Sequence, residues 1–303
     1  MSTQSLPLPD AARRQALIWL VLGGAGLAWG ATQPLSKIAV SSGHNAVGLV
    51  FWQCLIGILA LGLVMALTGR RLPRSRPFLI FYGVCAFLGT ALPHSLSFTA
   101  LAHVPAGIAS ILMASVPLAT LFLSIPLGID RPGPRRLLGL ALGAASVLLV
   151  LGPEASLPEP GQAAWAALYL VVVFSYAVEN VYIAKYQPEG TDPVQTMMGL
   201  FAGAFLMVLP VVAIANTWVL PESFGAPEAA LIGASLLHVA AYMGFVWLIG
   251  AAGPVFAAQV GYVVTLAGVF LGIWFLGESH SGWIWAALVL MLAGVSLVRP
   301  KGA

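Results

Sequence analysis

Residues 16–37 read ALIWLVLGGAGLAWGATQPLSK. No charge interrupts this run before Lys37, and as a helix rising about 1.5 Å per residue it is long enough to cross a hydrocarbon core of about 30 Å. The pair Arg13-Arg14 precedes it, which is also how a secretory signal can begin. A signal core of about 7–15 residues would end sooner, in small residues, whereas this run carries bulky Trp29 where cleavage would fall and continues to Lys37. It is read as a first membrane span.

Outward from it, the same pattern recurs along all 303 residues, giving ten spans at 16–38, 45–68, 78–101, 104–128, 135–152, 163–186, 193–216, 227–250, 254–276 and 282–299. The composition agrees: 60% of the residues are hydrophobic and 8% charged, against about 25% charged in ordinary globular chains, and the mean hydropathy is +0.96. So few charges cannot cover a water-soluble surface. The expected fold class is all-α integral membrane. Polar stretches between spans reach only about a dozen residues and hold no Gly-rich loop ending in Lys-Ser/Thr. That excludes a nucleotide-driven motor and an extramembrane catalytic module.

The positions of the charges set an orientation. With the N-terminus cytoplasmic, the inside segments hold Arg13, Arg14, Arg70, Arg71, Arg74, Arg76, Arg131, Arg135, Arg136, Lys185, Arg299 and Lys301, which is every basic residue except Lys37. The outside loops carry Glu154, Glu159, Glu222, Glu228 and Glu278 with no Arg or Lys. Short loops obey this bias, so both termini are expected in the cytoplasm of a cell with the protein in its inner (plasma) membrane. Arginines scattered beside spans do not form a nucleic-acid patch. Cys54 and Cys85 fall inside spans and read as small packing residues.

The two halves resemble each other at an offset of about 147 to 150 residues. Pro105-Ala106-Gly107-Ile108-Ala109 faces Pro254-Val255-Phe256-Ala257-Ala258, Leu127-Gly128 faces Leu276-Gly277, and Ala144-Ala145-Ser146 faces Gly294-Val295-Ser296. Residues 1–152 and 153–303 are therefore read as two five-helix repeats. Five is odd, so the second copy enters the bilayer from the opposite side and the repeats are inverted. Alternating-access carriers are commonly built this way, with a substrate site near the midplane between the halves.

Trp29-Gly30 followed by Lys37, Phe98-Thr99-Ala100-Leu101 leading into Val104-Pro105-Ala106-Gly107, Pro117, and Leu276-Gly277-Glu278 before Gly294-Val295 together resemble the EamA-type drug/metabolite transporters across nearly the whole chain. The resemblance implies a ten-helix inverted-repeat transporter with a central cavity, usually exporting amino acids, related metabolites or toxic organic compounds. Gly128-Ile129-Asp130 stands where the family commonly has Gly-Glu, and Gln53 where it often has Arg; the second departure leaves the cavity less positive and weakens an anionic substrate class.

Ionisable groups inside spans are costly and hence informative. Glu179, about 9 Å of helix before Lys185, is the candidate proton-coupling or cation-binding group, against a structural glutamic acid or one snorkelling towards Lys185. His94 and His238 can exchange protons or bind a substrate carboxylate, or can be packing residues. Stripes at helical spacing add Trp29, Gln33 and Lys37 on span one, Ser175, Glu179 and Tyr182 on span six, and Phe256, Gln259 and Tyr262 on span nine. The candidate substrate-binding residues are Trp29, Gln33, His94, Phe98, Tyr182, His238, Tyr242, Gln259 and Tyr262. Lys37 can equally snorkel to the headgroups. His44, His103 and His280 fall in loops and are expected to be solvated. No motif for a metal or other cofactor is present.

The function expected is a secondary transporter, exporting amino acids or related small polar metabolites by alternating access, with possible proton coupling. The alternative is an exporter of cationic or aromatic drugs, favoured by Glu179 with Trp29, Tyr242 and Tyr262. An intramembrane enzyme using Glu179 and a histidine lacks a nucleophile motif, and a non-transporting scaffold would tolerate Gln at 179 and Phe at 238. Partners are a small-molecule substrate and the bilayer; monomer and homodimer both remain open.

Overall fold

A computed structural model describes residues 9–129, 132–152, 157, 159, 161–219, 224–252 and 254–298. Asp130, Arg131, Glu154, Glu222, Arg299 and Lys301 lie outside the described residues. Among those described, regular structure is wholly helical, in ten successive spans. They are α1 (Pro9–Val40), α2 (Ala46–Thr68), α3 (Arg76–Leu101), α4 (Ala106–Ser124), α5 (Pro134–Leu151), α6 (Gln162–Tyr186), α7 (Pro193–Ala215), α8 (Ala226–Ala252), α9 (Val260–Leu276) and α10 (Gly282–Leu297). Eight are long and apolar enough to cross a bilayer by themselves; α9 and α10 are shorter. A one-turn helix, Pro254–Ala257, extends α9 to the length the sequence assigned it.

The helix ends follow local chemistry. Asn45 caps α2 by accepting from the Val47 N–H at 2.9 Å, and Asp192 caps α7 by accepting from Val194 and Gln195. Gly69 and Gly277 close α2 and α9 with φ of 68° and 65°, a left-handed conformation that glycine adopts without a Cβ penalty.

Burial is inverted relative to a protein in water. Leu20, Leu59, Leu67, Ile214, Trp274 and Phe275 are exposed on the outside, while Gln53, Thr90, His94, Ser110, Ser146, Ser175, Glu179, Ser235 and Thr265 are buried. Apolar surface of this extent needs lipid against it. The protein is a multi-pass membrane protein.

The contacts repeat with a period of five helices. α1 lies against α8 and α9, and α6 lies against α3 and α4. α2 packs on α7, α4 on α9 and α5 on α10. Exchanging each helix for its counterpart five later turns the first pair of contacts into the second and maps the last three onto themselves. Glycines sit at several of these internal crossings. A β-carbon on Gly139 would come within 2.6 Å of the Gly294 carbonyl oxygen, and one on Gly30 within 2.8 Å of the Val264 carbonyl oxygen. Only glycine allows backbones so close.

Candidate substrate-binding site

Polar faces of α1, α2, α3, α4, α6, α8, α9 and α10 converge on a cavity of about 550 Å³. Trp29, Gln33, Gln53, His94, Tyr169 and His238 supply most of its hydrogen-bonding groups, and Phe98, Tyr176, Phe245 and Tyr262 add aromatic surface. Along α6 it extends from Tyr169 to Asn180, about 16 Å of helix rise. Among the described residues that line it, none is Asp, Glu, Lys or Arg. The walls are polar and aromatic but carry no fixed charge.

Hydrogen bonds join the two repeats at two places in the cavity wall. At the first, the Trp29 indole N–H donates to His238 Nδ1 at 3.2 Å; beside it, within the first repeat, His94 Nδ1 meets the Gln53 carbonyl oxygen at 2.7 Å. A carbonyl oxygen only accepts, so His94 carries a proton on Nδ1; His238, accepting at Nδ1, carries its proton on Nε2. The two rings lie 6.1 Å apart, edge to face. At the second, the Tyr169 hydroxyl donates to Gln33 Oε1 at 3.0 Å and accepts from Ser97 at 3.3 Å.

Of the residues proposed from sequence, Trp29, Gln33, His94, Phe98, His238 and Tyr262 line the cavity. Tyr182, Tyr242 and Gln259 do not. Tyr182 stacks on Phe81 with centroids 6.0 Å apart, the Tyr242 hydroxyl donates to the Pro193 carbonyl at 3.3 Å, and Gln259 is exposed in the break before α9. Glu179 is buried yet faces α3 instead of the cavity, so close to Gly89 that a β-carbon there would collide with its carboxylate.

The reason is a rotation of α6. It carries two polar stripes, Tyr169, Tyr176 and Asn180 on one face and Ser175, Glu179 and Tyr182 on the next. The first faces the cavity and the second faces α3. There a π-turn spans Phe87–Ala91, because Pro93 has no N–H to continue the ladder. The Leu92 N–H bonds the Phe87 carbonyl. The Leu88 carbonyl, which Pro93 leaves without a backbone donor, accepts instead from the Ser175 hydroxyl at 2.6 Å. The sequence shows both stripes; nothing in it indicates which one turns inward. Gln53, Tyr169, Tyr176 and Asn180 were missed for that reason, and because they lie apart in the chain.

The end of the bundle formed by the C-terminus of α1 and the N-terminus of α4 is closed by bonds between the repeats and within the first one. The Glu278 carboxylate accepts from the Ala106 and Gly107 N–H groups at 2.6 and 2.9 Å, where the helix dipole of α4 favours negative charge. Lys37 donates to the Val104 carbonyl at 3.1 Å, His44 pairs with Glu228 at 3.1 Å, and Trp52 donates to the Val219 carbonyl. His280, expected in solvent, has its side chain 1% exposed and lies 3.6 Å from Glu278; burial lowers its pKa while Glu278 opposes the shift. At the opposite end Arg70 pairs with Asp192 at 3.0 Å. Cys54 and Cys85 are free and buried. No group of His, Cys, Asp and Glu among the described residues could hold a metal ion.

Residues 16–152 and 163–299 each match the EamA-like transporter family. The uncharacterized inner membrane transporter YedA of Escherichia coli strain K12 is 31% identical over 287 residues, covering 89% of this chain and 86% of its own; its counterparts in strains O6:H1 and O157:H7 give the same figures. A protein of known crystal structure superposes with a TM-score of 0.61 over 93% of this chain and 96% of that chain at 16% identity, a likeness of fold alone. With both halves matched, the chain belongs to the EamA-like transporter family and is a membrane transporter for a small molecule, not an enzyme.

Proposed function

We propose that this chain exports amino acids or related small polar metabolites of no net charge by alternating access between inverted repeats 1–152 and 153–303. The observation that carries the reading is a roomy cavity between the repeats whose walls hold His, Gln, Ser, Thr and Tyr but no fixed charge among the described lining residues. A solute with unbalanced charge would lose its hydration without a counter-ion. A zwitterion can satisfy its two ends with the complementary imidazoles and amides. The cationic-drug alternative loses its main support, because the Glu179 carboxyl faces Gly89; the aromatic walls keep flat side chains acceptable. The exchange symmetry of the helix contacts and the odd number of spans per repeat support the inverted arrangement. The segregation of basic residues supports cytoplasmic termini, and the inner-membrane relatives support that membrane.

Proton coupling is assigned to Glu179 acting through the π-turn of α3, which ends three residues before His94, and not by contact with the solute. A ligand-panel thermal-shift screen on purified protein tests the substrate class, since a ligand that binds the folded form raises the melting temperature by mass action. Zwitterionic amino acids are expected to raise it in a saturable way. Stabilisation by organic cations alone would overturn the reading.

A further inference from the structure

A second, polar cavity of about 310 Å³ is lined by Lys37, Ala102, His103, Glu159, Gln162 and Trp165. It lies along three of the helices that form the central cavity, one turn further toward the closed end. On α1 Lys37 comes four residues after the cavity residue Gln33, just past α3 Ala102 comes four after Phe98, and on α6 Trp165 comes four before Tyr169. One helical turn is about 5.4 Å. Tyr169, one turn from Trp165 on α6, has its hydroxyl bonded to Gln33, one turn before Lys37 on α1, and to Ser97 on α3.

The groups around this pocket are incompletely paired. The Lys37 ammonium has three N–H donors, of which the Val104 carbonyl takes one. Gln162 is 8% exposed, and its Oε1 is buried with no hydrogen-bond partner. A buried acceptor left unpaired costs free energy until something donates to it. Glu159 supplies a carboxylate. His103 and Trp165 stack with centroids 4.0 Å apart and planes at 16°, a flat wall at one side. The pocket therefore pairs one cation with one anion and one empty acceptor, beside an aromatic surface.

We propose that this pocket is an outer subsite for the backbone of a zwitterionic amino acid: Lys37 takes its carboxylate, Gln162 Oε1 and Glu159 take its ammonium, and the side chain lies along His103 and Trp165. The inference rests on the amino-acid reading above and adds a second station on the same path, reached when Tyr169 moves. A molecule lacking either charged end leaves Lys37 or Gln162 unsatisfied and binds more weakly.

The test is fluorine NMR of the full chain labelled with 5-fluorotryptophan, with the Trp29 and Trp165 resonances assigned by Trp29→Phe and Trp165→Phe. The probes are L-phenylalanine, phenethylamine, which lacks the carboxylate, and hydrocinnamate, which lacks the ammonium. L-phenylalanine is expected to shift both resonances saturably. Each half-molecule is expected to need at least tenfold more to shift Trp165, and Lys37→Met to weaken that response at least tenfold while the other tryptophan resonances stay in place. Gln162→Leu, which removes a buried unpaired acceptor and so keeps the fold, is expected to do the same. Movement of Trp29 with Trp165 unmoved overturns the subsite and spares the amino-acid reading. A Trp165 response that both variants leave unchanged also overturns the subsite. Absence of any shift at either residue overturns the amino-acid reading itself, and the subsite's ligand with it.

Discussion

His238 accepts the Trp29 indole proton at Nδ1, so a proton placed on that nitrogen would set two N–H groups against each other and break a tie between α8 and α1. The same dependence holds for Gln53 and His94, whose bond is buried. Replacing one partner leaves the other unsatisfied, at about 1–3 kcal/mol, whereas replacing both with apolar groups costs little more or less. Gln53→Leu is therefore expected to destabilise the purified protein by about 1–3 kcal/mol. Gln53→Leu with His94→Phe should cost less than the two single changes added, measured by melting temperature. A strictly additive pair would mean that the bond is not formed. At the basic end, burial pushes the Asp192 carboxyl up, but Arg70 and the Val194 and Gln195 amides outweigh it and hold the group below its ordinary 3.8. A depressed folded-state pKa adds stability above the unfolded value and loses it as pH falls through the folded value. Acidification from about pH 6 to about pH 3 should thus lower the native melting temperature more than that of Asp192→Asn; equal losses would remove Asp192 from the balance.

At the scale of elements, α3 and α6 form one device. Pro93 opens the π-turn, Ser175 satisfies the carbonyl it frees, and Glu179 fills the space that Gly89 leaves. Ser175→Ala should cost about 1 kcal/mol in the native background and close to nothing beside Pro93→Ala, where a residue with an N–H can bond the freed carbonyl. A Ser175→Ala cost that is the same in both backgrounds would contradict this pairing. These elements also show where sequence reasoning stops. Most span boundaries came within a few residues, as in 45–68 against Ala46–Thr68, because hydropathy sets them; α1 begins seven residues before the expected 16 and α9 six after the expected 254. The π-turn and the break between Met113 and Val116 leave no hydropathy trace. The inward stripe of α6 was not legible either, because Tyr176 and Glu179 are one turn apart on adjacent faces and only packing against α3 decides the rotation. Tyr182, Tyr242 and Gln259 were proposed on spacing alone, and packing turned them elsewhere.

For the whole molecule, the repeat was legible from its prolines and glycines because those residues mark backbone geometry that two copies share. The convergence of Trp29, His94 and His238 was not, since it depends on how α1, α3 and α8 cross. The bonds at Glu278, Lys37 and His44 close one end of the bundle, while the lining at Asn180, Phe245 and Val295 reaches towards the other. On the alternating-access reading proposed above, release at this end requires the Glu278 contacts with Ala106 and Gly107 to break. The most direct test is counterflow of labelled L-phenylalanine in proteoliposomes, with tetraethylammonium as the cationic comparison. Met113→Trp fills the cavity wall, and Leu59→Trp changes a position 65% exposed on the lipid side. Saturable L-phenylalanine counterflow without tetraethylammonium flux is expected from the native protein and from Leu59→Trp, with a loss of at least tenfold in Met113→Trp. Undiminished flux in Met113→Trp, or flux of the cation alone, would contradict transport of a net-neutral solute through this cavity.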